Sequence, residues 1–152
     1  MTGWYQSYLG RMPSAMEANI WATQLGSQTE EQVLGQILGS TEFYSRAQGM
    51  GFGGTADENF VCALYKTVLG RAPGSTELAS QVAALQQNGQ QALALSFLQS
   101  VEYRANVVRA YYSNLLHRPG SQAEVASWVN STSDLRTIRM GIESSTEFFF
   151  NG

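Results

Sequence analysis

Cysteine and histidine each occur once in the 152 residues, as Cys62 and His117, and Lys66 is the sole lysine. A lone cysteine excludes an internal disulfide framework and a cysteine-based zinc site. A lone histidine removes most metal triads and Ser–His–Asp chemistry. Charged residues reach only 14%, against about 25% in an average chain. The net charge of −3 argues against a nucleic-acid backbone binder, which needs a basic stripe. No apolar run approaches the roughly 18–20 residues that span a bilayer, and no charged leader of a signal peptide precedes Trp4 and Tyr5. These absences predict a soluble, mildly acidic, non-enzymatic module with no metal and no cofactor.

What is abundant is self-similarity. Tyr5 to Arg11 aligns with Tyr65 to Arg71 and with Tyr112 to Arg118, and Pro13, Pro73 and Pro119 follow. Further on stand Ser40 to Phe43, Ser100 to Tyr103 and Ser145 to Phe148, at 27, 27 and 26 residues from those prolines. The pattern predicts one domain over 1–152, built of three homologous multi-helix repeats at about 1–47, 57–106 and 107–152. A glycine-rich connector, 48–56, separates the first two. The first copy is shorter at its front than the second, which suggests a piece of a larger multidomain protein.

Each copy reads as helix, turn, helix, break, helix. Phe60, Val61, Leu64, Tyr65, Val68 and Leu69 share one helical face. Gly70 is placed to end that helix in the left-handed region, and Pro73 blocks its resumption. Ser14 with Glu17 and Ser121 with Glu124 have capping-box spacing, and Gly74 with Glu77 is a weaker version. Strand patterns are almost absent. The expected fold is a compact all-α domain.

The combination of Tyr-x-x-x-Leu-Gly-Arg-x-Pro, a tryptophan in the next helix (Trp21, Trp128) and Ser-x-Glu-Phe/Tyr resembles the bacterial domain-of-unknown-function family numbered 4214. That family is similar in pattern to the phycobilisome linker domain and to the helical anchoring region of some S-layer proteins. Here Ser14, Gly74 and Gly120 follow the prolines where the family usually has Asp, Gln81 stands in the tryptophan position of copy two, and His117 replaces the glycine before Arg118. The resemblance implies a secreted or cell-surface bacterial setting and a binding or linking role without catalysis.

Arg11, Arg71 and Arg118 recur with Glu42, Glu102 and Glu147, which predicts structural Arg–carboxylate pairs tying each turn to a distant helix. Glu17, Glu77 and Glu124 are read as capping residues. Aromatic rings flanked by amides suit sugars, because the ring covers an apolar sugar face while amides bond hydroxyls. On that ground Trp4, Trp21, Trp128, Arg118 and Gln24 are the candidate ligand-binding residues, and a glycan or surface polysaccharide is the expected partner. The alternative is a protein–protein linker or structural scaffold. Phe148, Phe149 and Phe150 cannot all be buried by one helix near its end.

Overall fold

A computed structural model describes residues 2–131 and 133–151, the side chains of Thr2 and Asn151 excepted. Helix accounts for 74% of the chain, and no strand forms among the described residues. The all-α class expected from the pattern is therefore the class observed. Contacts gather the chain into two compact units, Met1–Leu98 and Gln99–Gly152. Their boundary falls inside the second repeat as read from the sequence.

In the first unit, α1 (Thr2–Trp4) runs on as a π-helical turn, Tyr5–Leu9, and is followed by α2 (Ala15–Leu25), α3 (Glu30–Leu38) and α4 (Thr41–Ala47). The connector leads to α5 (Ala56–Leu64), which also runs on as a π-helical turn, Tyr65–Leu69, and then to α6 (Ser75–Asn88) and α7 (Gln90–Leu98). Gly10 and Gly70 close the two π-turns at φ +70° each. Glycine pays no Cβ penalty in that left-handed region. The second unit holds α8 (Val101–Leu116), α9 (Gln122–Val129), α10 (Leu135–Glu143) and α11 (Thr146–Asn151). There His117 takes the glycine's place, closing α8 at φ +56°.

The helix starts follow local chemistry. Ser14 and Glu17 exchange two hydrogen bonds, Glu17 N–H to Ser14 Oγ at 3.2 Å and Ser14 N–H to Glu17 Oε2 at 2.8 Å. Thr29 with Gln32, Thr55 with Glu58 and Ser121 with Glu124 do the same. Gly74 has no side chain to offer, so only the carboxylate half of its box exists, from Gly74 N–H to Glu77 at 2.9 Å.

Burial follows the apolar periodicity. Leu135, Ile138 and Ile142 lie on one stripe of α10 and are buried, while Arg136, Thr137 and Met140 face outward. They join Ala105, Val108, Tyr112 and Leu116 of α8 and Val125 and Val129 of α9 in one core. In the first unit Tyr5, Val33 and Ile37 are buried under Trp4, Leu9, Trp21 and Leu25. The crossing of α3 with α7 is close because α3 carries Gly35 and is capped by Gly39. A Cβ on Gly39 would stand 2.4 Å from the backbone Cα of Gln91, and one on Gly35 would stand 3.3 Å from Leu95 Cβ.

Candidate functional site

That close crossing fixes the floor of a cleft of about 380 Å³ lined by Ser27, Gln28, Gln32, Gln36, Gln91 and Leu95. Ser27 and Gln28 come from the turn after α2, Gln32 and Gln36 from the outer face of α3, and Gln91 and Leu95 from α7. Gln32 and Gln36, four residues apart on α3, share one line of its surface, and Gln28 reaches them from the preceding turn. Gln36 Nε2 donates to Gln28 Oε1 at 2.6 Å, which fixes the orientation of both amides. None of these lining residues is charged. Carboxamides both donate and accept, so the cleft offers a mixed, neutral hydrogen-bonding surface beside the apolar Leu95.

Gln24 lies one turn before the cleft. Its backbone carbonyl accepts from the N–H groups of Ser27, at 3.2 Å or less, and of Gln28 at 2.7 Å. Its side-chain oxygen Oε1 is buried with no hydrogen-bond partner among the described residues. A buried acceptor without a donor costs free energy that a ligand hydroxyl or a water recovers.

The tryptophans lie elsewhere. Trp21 Nε1 donates to the hydroxyl of Tyr5, and Trp128 Nε1 donates to the hydroxyl of Tyr112 at 3.0 Å. Both indoles are half-buried, and Trp4 and Trp21 pack on the same small core. The six-membered edge of Trp128 covers Gly141, where a Cβ would meet it at 2.9 Å. Trp4 and Trp21 thus share one small core, Gln24 is not among the residues lining the cleft, and the indole N–H groups of Trp21 and Trp128 are used within the protein.

The recurring arginines form a cluster richer than the sequence suggests. Arg11 donates through Nη1 and Nη2 to both oxygens of Glu17, at 2.9 and 2.7 Å, and through Nε and Nη2 to both oxygens of Glu42, at 2.7 and 2.9 Å. Its remaining Nη1 hydrogen goes to the carbonyl of Met12 at 3.1 Å. Arg118 repeats this with Glu124, Glu147 and the Pro119 carbonyl. All five guanidinium donors are occupied in each case. Each guanidinium also sits over a ring, Arg11 over Tyr5 at 5.1 Å, Arg71 over Tyr65 at 5.0 Å and Arg118 over Tyr112 at 5.1 Å. Arg71 binds both oxygens of Glu77, at 3.0 and 2.9 Å. The sequence reading placed Glu17, Glu77 and Glu124 as caps alone. Their constant offset of six residues from an arginine was the signal that they also close a salt-bridge cluster.

Arg118 also borders a wider cleft of about 560 Å³ with Arg109, Ser113, His117, Pro119 and Gly120. Its guanidinium brings no free donor there, since its partners already take all five. The thiol of Cys62, beside Phe52 and Lys66 in a third hollow, has its pKa raised by partial burial and by Glu58. That keeps it in the less reactive thiol form.

The clusters set an acid limit. Glu17, Glu77 and Glu124 titrate well below the ordinary 4.5, at about 2, because each is hydrogen-bonded first by its arginine and then by a backbone N–H. Glu42 and Glu147 are lowered by the same arginines. A carboxyl with a depressed folded-state pKa binds fewer protons folded than unfolded, so its stabilisation is complete above about pH 4.5 and is lost as pH falls towards about 2. Chemical denaturation at a series of pH values is expected to show this acid loss in the wild type. Arg118→Met is expected to have a shallower loss over the same window, and an unchanged slope would contradict the assignment.

Among the described residues no three His, Cys, Asp or Glu side chains gather as a metal-holding group. No helix among them is long and apolar enough to cross a membrane. Residues 36–107, a little under half of the chain, match the family model described as Domain of unknown function (DUF4214). The matched segment starts near the end of α3 and ends in α8, so it takes in Gly39 and all of α7 but not Gly35. No curated protein and no solved structure matches the chain.

Proposed function

We propose that this chain is a non-catalytic binding module of a secreted or cell-surface bacterial protein, and that its ligand is a neutral glycan. The observation that carries the proposal is the cleft lined by Gln28, Gln32, Gln36 and Gln91 with no charged lining residue. Sugar hydroxyls both donate and accept, and four carboxamides match that pattern better than charges would. Leu95 supplies a small apolar contact. The reading moves the ligand surface from Trp21 and Trp128, whose indole N–H groups are engaged, to the amides.

On the same reading the chain carries three tandem copies of the family fold. Support comes from the arginine cluster, which recurs with the same tyrosine, the same cap-derived glutamate and the same offsets at Arg11, Arg71 and Arg118. The copies have diverged at the surface, so one ligand site per copy is not expected.

The test is a glycan array probed with the purified chain, followed by Gln32→Leu and Gln91→Leu. Gln91 is exposed and tolerates an apolar side chain of similar size; Gln32 also accepts from Thr29 N–H in the α3 capping box, so an unchanged circular dichroism spectrum verifies the fold of that variant. Each variant is expected to weaken binding about tenfold, the loss of one or two hydrogen bonds to a bound hydroxyl. Absence of binding across bacterial and plant glycans contradicts the proposal.

One observation favours a second reading, a protein–protein linker of the kind suggested by the resemblance to phycobilisome linkers. Met12 (57% exposed), Met16 (73%) and Ile20 (48%) follow one another at four-residue spacing on and before α2. Copies two and three carry Ala72, Thr76 and Ser80, and Pro119, Ala123 and Ser127, at the matching positions. Methionines make an adaptable apolar contact surface. Retained glycan binding in Met16→Ser with Ile20→Ser separates the two surfaces.

A further inference from the structure

The end of one copy and the start of the next meet inside the first unit, and that junction is the template for an exposed surface in the second. At the junction α4 packs on α5. Phe43 meets Phe60 edge to face at 5.9 Å, and Tyr44 lies against Phe60 at 5.3 Å. The Tyr44 hydroxyl donates to Asp57 Oδ1 at 2.7 Å. Gln48 Nε2 donates to the carbonyl of Ala56, and Asn59 Nδ2 donates back to Gln48 Oε1 at 3.0 Å. Phe43 and Phe60 are fully buried there.

α11 is built as α4 is. Ser40 Oγ donates to the Ile37 carbonyl at 2.7 Å and accepts from Phe43 N–H at 3.2 Å. Ser145 Oγ donates to the Ile142 carbonyl at 2.6 Å and accepts from Phe148 N–H at 3.1 Å. Glu42 is held by Arg11 and Glu147 by Arg118. This fixes the register of the two helices. Phe148 stands where Phe43 stands and packs on its own unit's core, and Phe149 stands where Tyr44 stands. Yet Phe149 is 82% exposed and its neighbour Phe150 is 74% exposed, the two rings meeting edge to face at 5.2 Å. Two adjacent phenylalanines left in water form an apolar patch that a partner surface covers at a gain.

We infer that α11 is a docking face for the leading helix of a further repeat of this type, which covers Phe149 and Phe150 as α5 covers Tyr44. The inference does not depend on glycan binding. Its chemistry differs from the internal junction at one point. Phe149 has no hydroxyl to offer the carboxylate of a residue placed like Asp57, so the docking helix carries an apolar side chain there and an aromatic one three positions later. An acidic residue at that place is disfavoured, because its carboxylate is desolvated against a ring without a donor.

The probe is a peptide of residues 55–69 of this chain, held helical by a staple on the face away from Phe60 so that ordering costs do not mask the contact. It is made with the native Asp57 and with Asp57→Leu, and titrated into the intact protein while backbone amide resonances are followed. The expected result is saturable shifts centred on Thr146–Phe150, tighter for the Asp57→Leu peptide, and about tenfold weaker binding to Phe149→Ser. The side chain replaced is solvent-exposed, and an unchanged circular dichroism spectrum verifies the fold. Shifts confined to other helices, no shifts, or equal affinity for Phe149→Ser overturn the inference. So does a sedimentation result in which the protein alone self-associates and Phe149→Ser restores the monomer, since a second copy is then the occupant.

Discussion

Gly39→Ala is expected to lower the free energy of unfolding by about 3 kcal/mol, a large share of the roughly 5–15 kcal/mol typical of a domain. The reason lies at the α3–α7 crossing. The added methyl meets the backbone Cα and N of Gln91 at 2.4 and 2.8 Å, and neither atom can rotate away. Relief requires α7 to move, and α7 carries Leu93, Ala94, Phe97 and Leu98 into the core. The same movement displaces Gln91, so ligand binding falls with stability. Gly49→Ala is the control, because its Cβ meets nothing closer than the Arg46 carbonyl at 3.6 Å and its backbone lies outside the left-handed region. Urea midpoints for the two variants are expected to fall on either side of a clear gap. Similar midpoints contradict a close-packed crossing.

Trp128→Ala and Trp21→Ala are each expected to cost about 2–3 kcal/mol of stability, below the range for a fully buried ring because both indoles are half-buried. Each loses its packing and leaves the tyrosine hydroxyl, of Tyr112 or Tyr5, without its indole donor. Trp128→Phe keeps most of the contact over Gly141 and removes only the hydrogen bond, at about 1 kcal/mol. Thermal and urea unfolding of the alanine and phenylalanine variants checks this order. If Trp128→Ala left stability unchanged while abolishing ligand binding, the indole would be a sugar platform and the amide cleft would lose its role.

Much of this was legible before the fold was described. The similar spacings of Arg11 to Glu42 (31 residues) and of Arg118 to Glu147 (29 residues) point to pairs that the structure does bring together, because two helices of regular length separate the partners. The caps at Ser14 and Ser121 are local, so three residues suffice to read them. The left-handed stops at Gly10 and Gly70 are local too, and His117 at the same place shows that the turn dictates the backbone and not the residue type. The Trp–Tyr hydrogen bonds depend on the angle at which α2 meets the first turn, which no spacing records.

The cleft was harder to see. Gln28, Gln32 and Gln36 form a visible four-residue period, but Gln91 joins them only because α3 and α7 cross at two glycines. The spacing of Gly35 and Gly39 was the available signal, since small residues one turn apart permit close helix approach. The low charge content pointed in the same direction. The arginines and their glutamates consume much of the charge inventory on scaffold, which leaves amides at the surface.

The most direct measurement follows the side-chain amide resonances of the glutamines during titration with neutral oligosaccharides. The account predicts that the NH₂ signals of Gln28, Gln32, Gln36 and Gln91 shift together and saturate at one affinity, while the indole N–H signals of Trp21 and Trp128 stay in place. Indole shifts with stationary glutamine signals, or no shift with any neutral glycan, would contradict it.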